Sequence, residues 1–190
     1  MNPRIILASR SPRRVELLNQ IGIDPDVIPA DLDESIHAGE SPADYVLRLA
    51  REKAITVASQ YADAIVLSAD TAVVLGEHIF GKPESLEHAV QMLQLLSGNT
   101  HQVLSAVAVS CNGCCSSRTV VSRVTFRAIE MDEIHRYWET GEPCDKAGSY
   151  AVQGLGAVFI RSIEGSYSAI MGLPLFETTE LLADCGIRIL

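Results

Sequence analysis

No stretch of this 190-residue chain stays apolar for the ~18 positions that a membrane-crossing helix needs. The apolar run near the start, Ile5 to Ala8, is too short for the core of a secretory leader, and the first ten residues carry two positive charges. A chain that stays in the cytoplasm, with no membrane partner, is therefore expected. Cysteine is sparse and uneven: Cys111, Cys114, Cys115, Cys144 and Cys185 are odd in number and irregularly spaced. That argues against a secreted disulfide framework and for reduced thiols. No second pair of Cys or His follows Cys111, Cys114 and Cys115 at the spacing tetrahedral zinc requires, so this group reads as small residues around an Asn112-Gly113 turn. The five histidines stand singly, without i, i+4 partners, and read as surface or packing residues.

Positive charge is also short. Fifteen Lys and Arg stand against 24 Asp and Glu, a net charge of −9 with a pI near 5.0. A general affinity for nucleic acid is thereby disfavoured, although a small polyanion remains suitable where the few basic residues converge. The Gly-x-x-x-x-Gly-Lys-Ser/Thr loop is missing, which excludes a P-loop NTPase, and Gly154-Leu155-Gly156 is too short for a dinucleotide site and reads as a turn. Repeats and low-complexity segments are absent as well.

What is present is an ordinary globular composition, 47% hydrophobic and 21% charged, with eight prolines. The length suits one core and one domain over residues 1–190. Arg4 to Ala8 reads as a buried strand, followed by a helix that Ser11 caps, Pro12 opens and Gly22 ends. After a strand near Asp26 to Pro29 and an acidic loop holding Asp31, Asp33 and Glu34, Ser41-Pro42 starts a second helix reaching about Ser59. Its inward face would carry Tyr45, Val46, Leu49, Ala50 and Ala54, which leaves Arg48, Arg51, Glu52 and Lys53 to be explained.

Ala64 to Ala69 is a continuous apolar run ending at Asp70, the pattern of a central strand, and Thr71 to Leu75 extends it or pairs with it through a turn near Gly76. A helix over Ser85 to Ser97 stops at Gly98, and Gln102–Cys111 with Thr119–Ile129 form a long hairpin. Helices near Met131 to Thr140 and Leu175 to Asp184 bracket a glycine-rich stretch of short strands and turns. The alternation implies an α/β fold with a mixed, partly antiparallel sheet and flanking helices, in which ligands sit beyond strand carboxyl ends.

That directs attention to two places. Ser9, Ser11, Arg13 and Arg14 stand at a strand-to-helix junction, where free backbone N–H groups, hydroxyls and guanidinium groups suit phosphate. The same residues also describe an ordinary capped helix with solvated arginines. Asp70 offers a carboxylate that could bind a divalent metal or act as a base toward water, or merely terminate its strand. Lys53 and Lys82 are surface charges taken singly. Together these residues supply the anion cradle, charge neutralisation and metal ligands that cleavage of a phosphoanhydride requires.

The combination resembles the Maf family of nucleotide pyrophosphatases. The likeness runs from Ile6-Leu7-Ala8-Ser9-Arg10-Ser11-Pro12-Arg13-Arg14 through Arg48 to Ala54, Ser68-Ala69-Asp70-Thr71, Gly81-Lys82-Pro83, Leu96-Ser97-Gly98, Val124 to Arg127 and Asp145 to Gly154, and ends at Gly172-Leu173-Pro174-Leu175. The resemblance implies a single elongated α/β domain with a central cleft, often a homodimer. It implies hydrolysis of nucleoside triphosphates to the monophosphate and pyrophosphate with a divalent cation such as Mg, Mn or Co. It assigns Asp70 as proton acceptor, with Lys53 and Lys82 beside it, Glu34 and Asp70 toward the metal, and Ser9, Arg13, Arg14, Thr71 and Gln153 toward the substrate.

Within the family, Arg13, Thr71 and Gln153 favour the branch acting on dTTP and UTP. The branch acting on 7-methyl-GTP has tryptophan, glutamine and glutamate at those places, which suit a cationic base. A glutamine offers one donor and one acceptor to the O4 and N3–H edge of thymine or uracil. Two other readings stand beside this one: the 7-methyl-GTP activity itself, and a regulatory or binding role in septum formation and division arrest, which the family resemblance also brings.

Overall fold

The computed structural model describes residues 4–190. Strands and helices alternate as β1 (Ile5–Leu7), α1 (Pro12–Gln20), β2 (Asp26–Val27), α2 (Pro42–Ala58), β3 (Ile65–Leu75), β4 (His78–Phe80), α3 (Leu86–Leu96), β5 (Thr100–Cys111), β6 (Cys114–Phe126), α4 (Met131–Glu139), β7 (Ile160–Glu164), α5 (Tyr167–Met171) and α6 (Leu175–Asp184). Three 3₁₀ turns lie between α4 and β7. The strands form one mixed sheet in the order β2-β1-β3-β5-β6-β7, with β4 against β3. β1 is parallel to both β2 and β3, whereas β4 and β7 are antiparallel to β3 and β6. The α/β class with a mixed sheet is as expected.

The residues gather into two compact units. The first takes the described part of Met1–Asp70 with Ser105–Val120 and Gly172–Leu190; the second takes Thr71–Leu104 and Val121–Met171. In the first, Pro12 opens α1 as expected, but the Ser11 hydroxyl makes no capping bond. The Ser11 N–H donates instead to Ser9 Oγ at 3.2 Å, so Ser9 organises the helix entrance. Helix α2 is capped as predicted, Ser41 Oγ accepting the Asp44 N–H at 3.2 Å. Its buried stripe is Val46, Leu49, Ala50, Lys53, Ala54 and Val57, a lysine among apolar side chains. Val57 joins Ile6, Ala8, Ala64 and Val66 in a buried cluster.

Two expectations are corrected here, and one alternative is decided. Of the two courses open to Thr71–Leu75, extension holds: β3 runs through Asp70 to Leu75, because Thr71, Val73 and Val74 are β-branched and the turn waits for Gly76 at φ +61°. The hairpin strands reach the turn itself, so residues 114–118 are strand and not loop, with Asn112 (φ 51°) and Gly113 (φ 78°) as the whole connection. Positive φ at both positions matches the twist of the strands they join. Nor are all thiols reduced: Cys111, at the end of β5, is disulfide-bonded to Cys185, just after α6, with Cα atoms 6.4 Å apart. The partners are 74 positions apart in sequence, a pairing that spacing does not disclose. Cys114, Cys115 and Cys144 are free.

In the second unit, α3 buries Ala89, Met92, Leu93 and Leu96, the stripe its periodicity predicts. The core adds an aromatic group: Phe126 meets Tyr150 edge-on at 4.8 Å, and His101 meets Phe126 likewise at 4.9 Å. His101 is thus a packing residue, its Nε2 2.8 Å from the Tyr150 hydroxyl. Gly148, at φ +70°, lies against Val73, where a Cβ would meet the valine side chain at 3.0 Å.

Candidate active site

Ser9, Arg14, Glu34, Lys53 and Asp70 all belong to the first unit, and contacts join them in two groups. The junction between β1 and α1 delivers Ser9, buried, whose Oγ accepts from Arg14 Nη1 at 2.7 Å. Arg14 Nε donates to the carbonyl of Gly172 at 2.8 Å, so the first motif and the last are tied together. Desolvation lowers the Arg14 pKa; the charges of Asp70 and Glu34 oppose that, and Arg13 adds to it.

The second group centres on Lys53. Its Nζ lies 2.8 Å from Asp70 Oδ1 and 2.7 Å from Glu34 Oε1, one ammonium between two carboxylates. Asp70 is raised above the ordinary carboxylate range, first by burial and further by Glu34, against the pull of Lys53 and Arg14.

Helix α2 also explains how an acidic loop comes to hold Glu34 in place. Tyr45 Oη donates to the Glu34 carbonyl at 3.1 Å, while Arg48 donates to the Ser35 carbonyl at 3.0 Å and grips Glu40 at 2.6 and 2.8 Å. Arg51 reaches Ser117 Oγ at 3.2 Å, on strand β6. Of the charged residues that the apolar stripe left over, Arg48 therefore pins the loop, Arg51 reaches the hairpin and Lys53 binds the carboxylates, with Glu52 taking a bond from Arg48 at 3.2 Å.

The remaining candidates are placed as follows. Arg13 is half-buried, on α1 of the first unit. Thr71 follows Asp70 along β3 and belongs to the second unit, as do Lys82 and Gln153, both exposed in loops. Gly148 N–H donates to the Gly81 carbonyl at 3.1 Å, linking the loop of Lys82 to the segment that leads to Gln153. Tyr137 and Glu142, which bond to the backbone around Gln153, were not singled out from sequence. A tyrosine on an apolar helix face and a glutamate before a proline carry no signal of that role.

Among the described residues no group of three or more His, Cys, Asp or Glu is placed to hold a metal ion. The two carboxylates on Lys53 are hard oxygen ligands of the kind magnesium or manganese accepts, and magnesium commonly takes one or two carboxylates with phosphate and water completing its shell. Glu34 and Asp70 fit a cation of that kind when substrate supplies the remaining oxygens. No helix of the described chain is long and apolar enough to cross a membrane.

An α/β sheet with a cradle of hydroxyl and guanidinium at its first strand-to-helix junction, beside a lysine–carboxylate cluster in which Lys53 and Asp70 are buried, has the features of a phosphate-handling protein. The model of the Maf-like protein family matches residues 4–185, and the chain belongs to that family. Curated relatives agree over nearly full length. The dTTP/UTP pyrophosphatase of Hahella chejuensis is 49% identical, covering 98% of this chain and 94% of its own. That of Pseudoalteromonas atlantica is 50% identical over 96% and 97%, and that of Vibrio cholerae 48% over 94% and 96%. Among solved structures, the Ham1 protein of Staphylococcus aureus aligns with 65% of this chain and 71% of its own, at TM-score 0.42 and 18% identity.

Proposed function

We infer that this protein hydrolyses nucleoside triphosphates, dTTP and UTP above others, to the nucleoside monophosphate and pyrophosphate. The observation that carries this reading is Lys53 held between Asp70 and Glu34, with the Arg14–Ser9 pair supplied by the neighbouring strand-to-helix junction. The names of the relatives support the substrate, and Arg13, Thr71 and Gln153 support a pyrimidine base. Residues 1–190 act as one domain in this reading.

The roles divide as follows. Ser9, Arg13 and Arg14 take phosphate oxygens, by hydroxyl and guanidinium donors beside the α1 amino terminus. Asp70 accepts a proton from the attacking water, a task its burial favours because desolvation makes the carboxylate more basic. Lys53 and Lys82 offset charge that grows on the leaving pyrophosphate. A divalent cation held by Glu34 and Asp70 would polarise the phosphoanhydride, and Mg, Mn and Co are the ions to try. Thr71 and Gln153 read the base together with Arg13. A homodimer and a cytoplasmic location belong to the same reading. In a reducing cytoplasm Cys111 and Cys185 would be open, which alkylation in rapidly quenched cells measures.

The deciding experiment is pyrophosphate release from a panel of canonical and modified nucleoside triphosphates with each of the three metals. Turnover of dTTP and UTP above purine nucleotides is expected. Failure to turn over any nucleotide would leave a regulatory or binding role as the better account, and preferential turnover of 7-methyl-GTP would move the protein to the other branch.

A further inference from the structure

Gln153 is exposed, so what places its side chain is the backbone on either side. That backbone is anchored to one tyrosine and one glutamate of the same unit. Glu142, which opens the 3₁₀ turn Glu142–Asp145 after α4, accepts the Leu155 N–H on Oε2 at 2.8 Å and the Gly156 N–H on Oε1 at 2.9 Å. Tyr137, buried on α4, donates its hydroxyl to Glu142 Oε1 at 2.7 Å and accepts the Ala151 N–H at 3.1 Å. The chain is held two residues before Gln153 and two and three residues after it.

Small residues make this clasp possible. A Cβ on Gly154 would collide with the Glu142 carboxylate, and one on Gly156 would come within 2.6 Å of the Tyr137 hydroxyl. Burial pushes the Tyr137 phenol well above its ordinary range, which keeps the hydroxyl proton in place to donate. Burial alone would raise Glu142, but the Tyr137 hydroxyl and the Gly156 and Leu155 amides outweigh it and hold the carboxylate in its charged form.

We propose that Tyr137 and Glu142 are positioning residues for base choice, fixing the backbone on both sides of Gln153 so that its amide meets the edge of one pyrimidine and not another. The proposal rests on Gln153 contacting the base. A glutamine amide carries a donor and an acceptor that exchange places on a half-turn. It can therefore serve the O4 and N3–H of thymine or, reversed, the amino group and N3 of cytosine. Only a held loop lets one orientation win.

The test compares kcat and KM for dTTP and dCTP in the wild type, Glu142→Gln, Gly154→Ala, Gln153→Ala and the double variant Glu142→Gln with Gln153→Ala. Glu142→Gln loses the acceptor facing Leu155, while Gly154→Ala displaces the carboxylate and leaves both Tyr137 and Glu142 in the chain. Gln153→Ala should shrink the dTTP preference in kcat/KM by at least about tenfold. Glu142→Gln and Gly154→Ala should each shrink it by at least about threefold, mostly through KM for dTTP, with faster hydrogen exchange at Leu155 and Gly156. The double variant should match Gln153→Ala alone.

The proposal is overturned if Gln153→Ala abolishes the preference while both clasp variants keep it within about twofold. It is also overturned if the double variant loses preference multiplicatively, because the clasp would then act independently of Gln153. If Gln153→Ala itself leaves the preference intact, the base-contact reading has failed and takes the clasp's role with it.

Discussion

A lysine ammonium among apolar side chains needs compensating charge, and Lys53 has two carboxylates within 2.8 Å. Removing the lysine would leave Asp70 and Glu34 facing one another with no cation between them. Lys53→Met should therefore lower turnover of dTTP by at least about tenfold. Asp70→Asn keeps the shape and removes the proposed base, and a fall of about a hundredfold or more is expected with folding retained by circular dichroism. A normal rate in Asp70→Asn would reduce Asp70 to a structural partner of Lys53. At this scale the sequence was partly legible. Asp70 stands out by its place on a buried strand and Lys53 only in combination with it, but their pairing joins residues 17 apart on different elements, and no local pattern announces it. The hold of Tyr45 and Arg48 on the Glu34 loop was hidden for the same reason.

At the scale of elements, periodicity foretold α2, α3 and α6 closely, because their apolar stripes and start signals agree with the packing. It left the end of β3 open, since a carboxylate can terminate a strand, and the strand's own β-branched residues carried it onward. The strands and their neighbours also set two measurable properties. On β5, burial lowers His101 to about 4 from 6.5, so the folded state holds it neutral. A depressed pKa contributes stability that is present above about 6.5 and is lost as pH falls toward 4. The loss is of order 3 kcal/mol at most. His101→Gln can still bond the Tyr150 hydroxyl but does not titrate, so its urea midpoint should fall less than that of the wild type over the same pH interval. Equal slopes would show that His101 is not the group responsible.

The disulfide at the end of β5 acts on the unfolded chain. Closing a loop of 74 residues is worth roughly 4 kcal/mol in the chain-entropy account. For a chain of this size that corresponds to a Tm about 10 °C lower in Cys185→Ser than in the oxidised wild type. A reductant should lower the wild-type Tm toward that of the variant and leave the variant unchanged. Identical wild-type values with and without reductant would mean that the bond adds nothing to stability.

At the scale of the whole molecule, the mixed sheet and the ordered motifs agree on an enzyme of the Maf family, and base choice is the step proposed for Arg13, Thr71 and Gln153. Arg13, Thr71 and Gln153 are distant in sequence, and treating them as one unit makes a prediction that single changes cannot. Single changes should mostly lose activity, because each would remove one proposed pyrimidine contact without completing another. Glutamate at position 153 withdraws the amide donor and supplies a carboxylate, while tryptophan at position 13 removes a positive charge and supplies a stacking face. A cationic base gains from both and is repelled by neither. Arg13→Trp with Thr71→Gln and Gln153→Glu should shift the ratio of kcat/KM from dTTP toward 7-methyl-GTP by at least about tenfold, which is ~1.4 kcal/mol of differential transition-state binding. The ratio is taken within one variant, so partial misfolding cancels. A triple variant that still turns over both nucleotides with the wild-type ratio would show that these three positions do not choose the base.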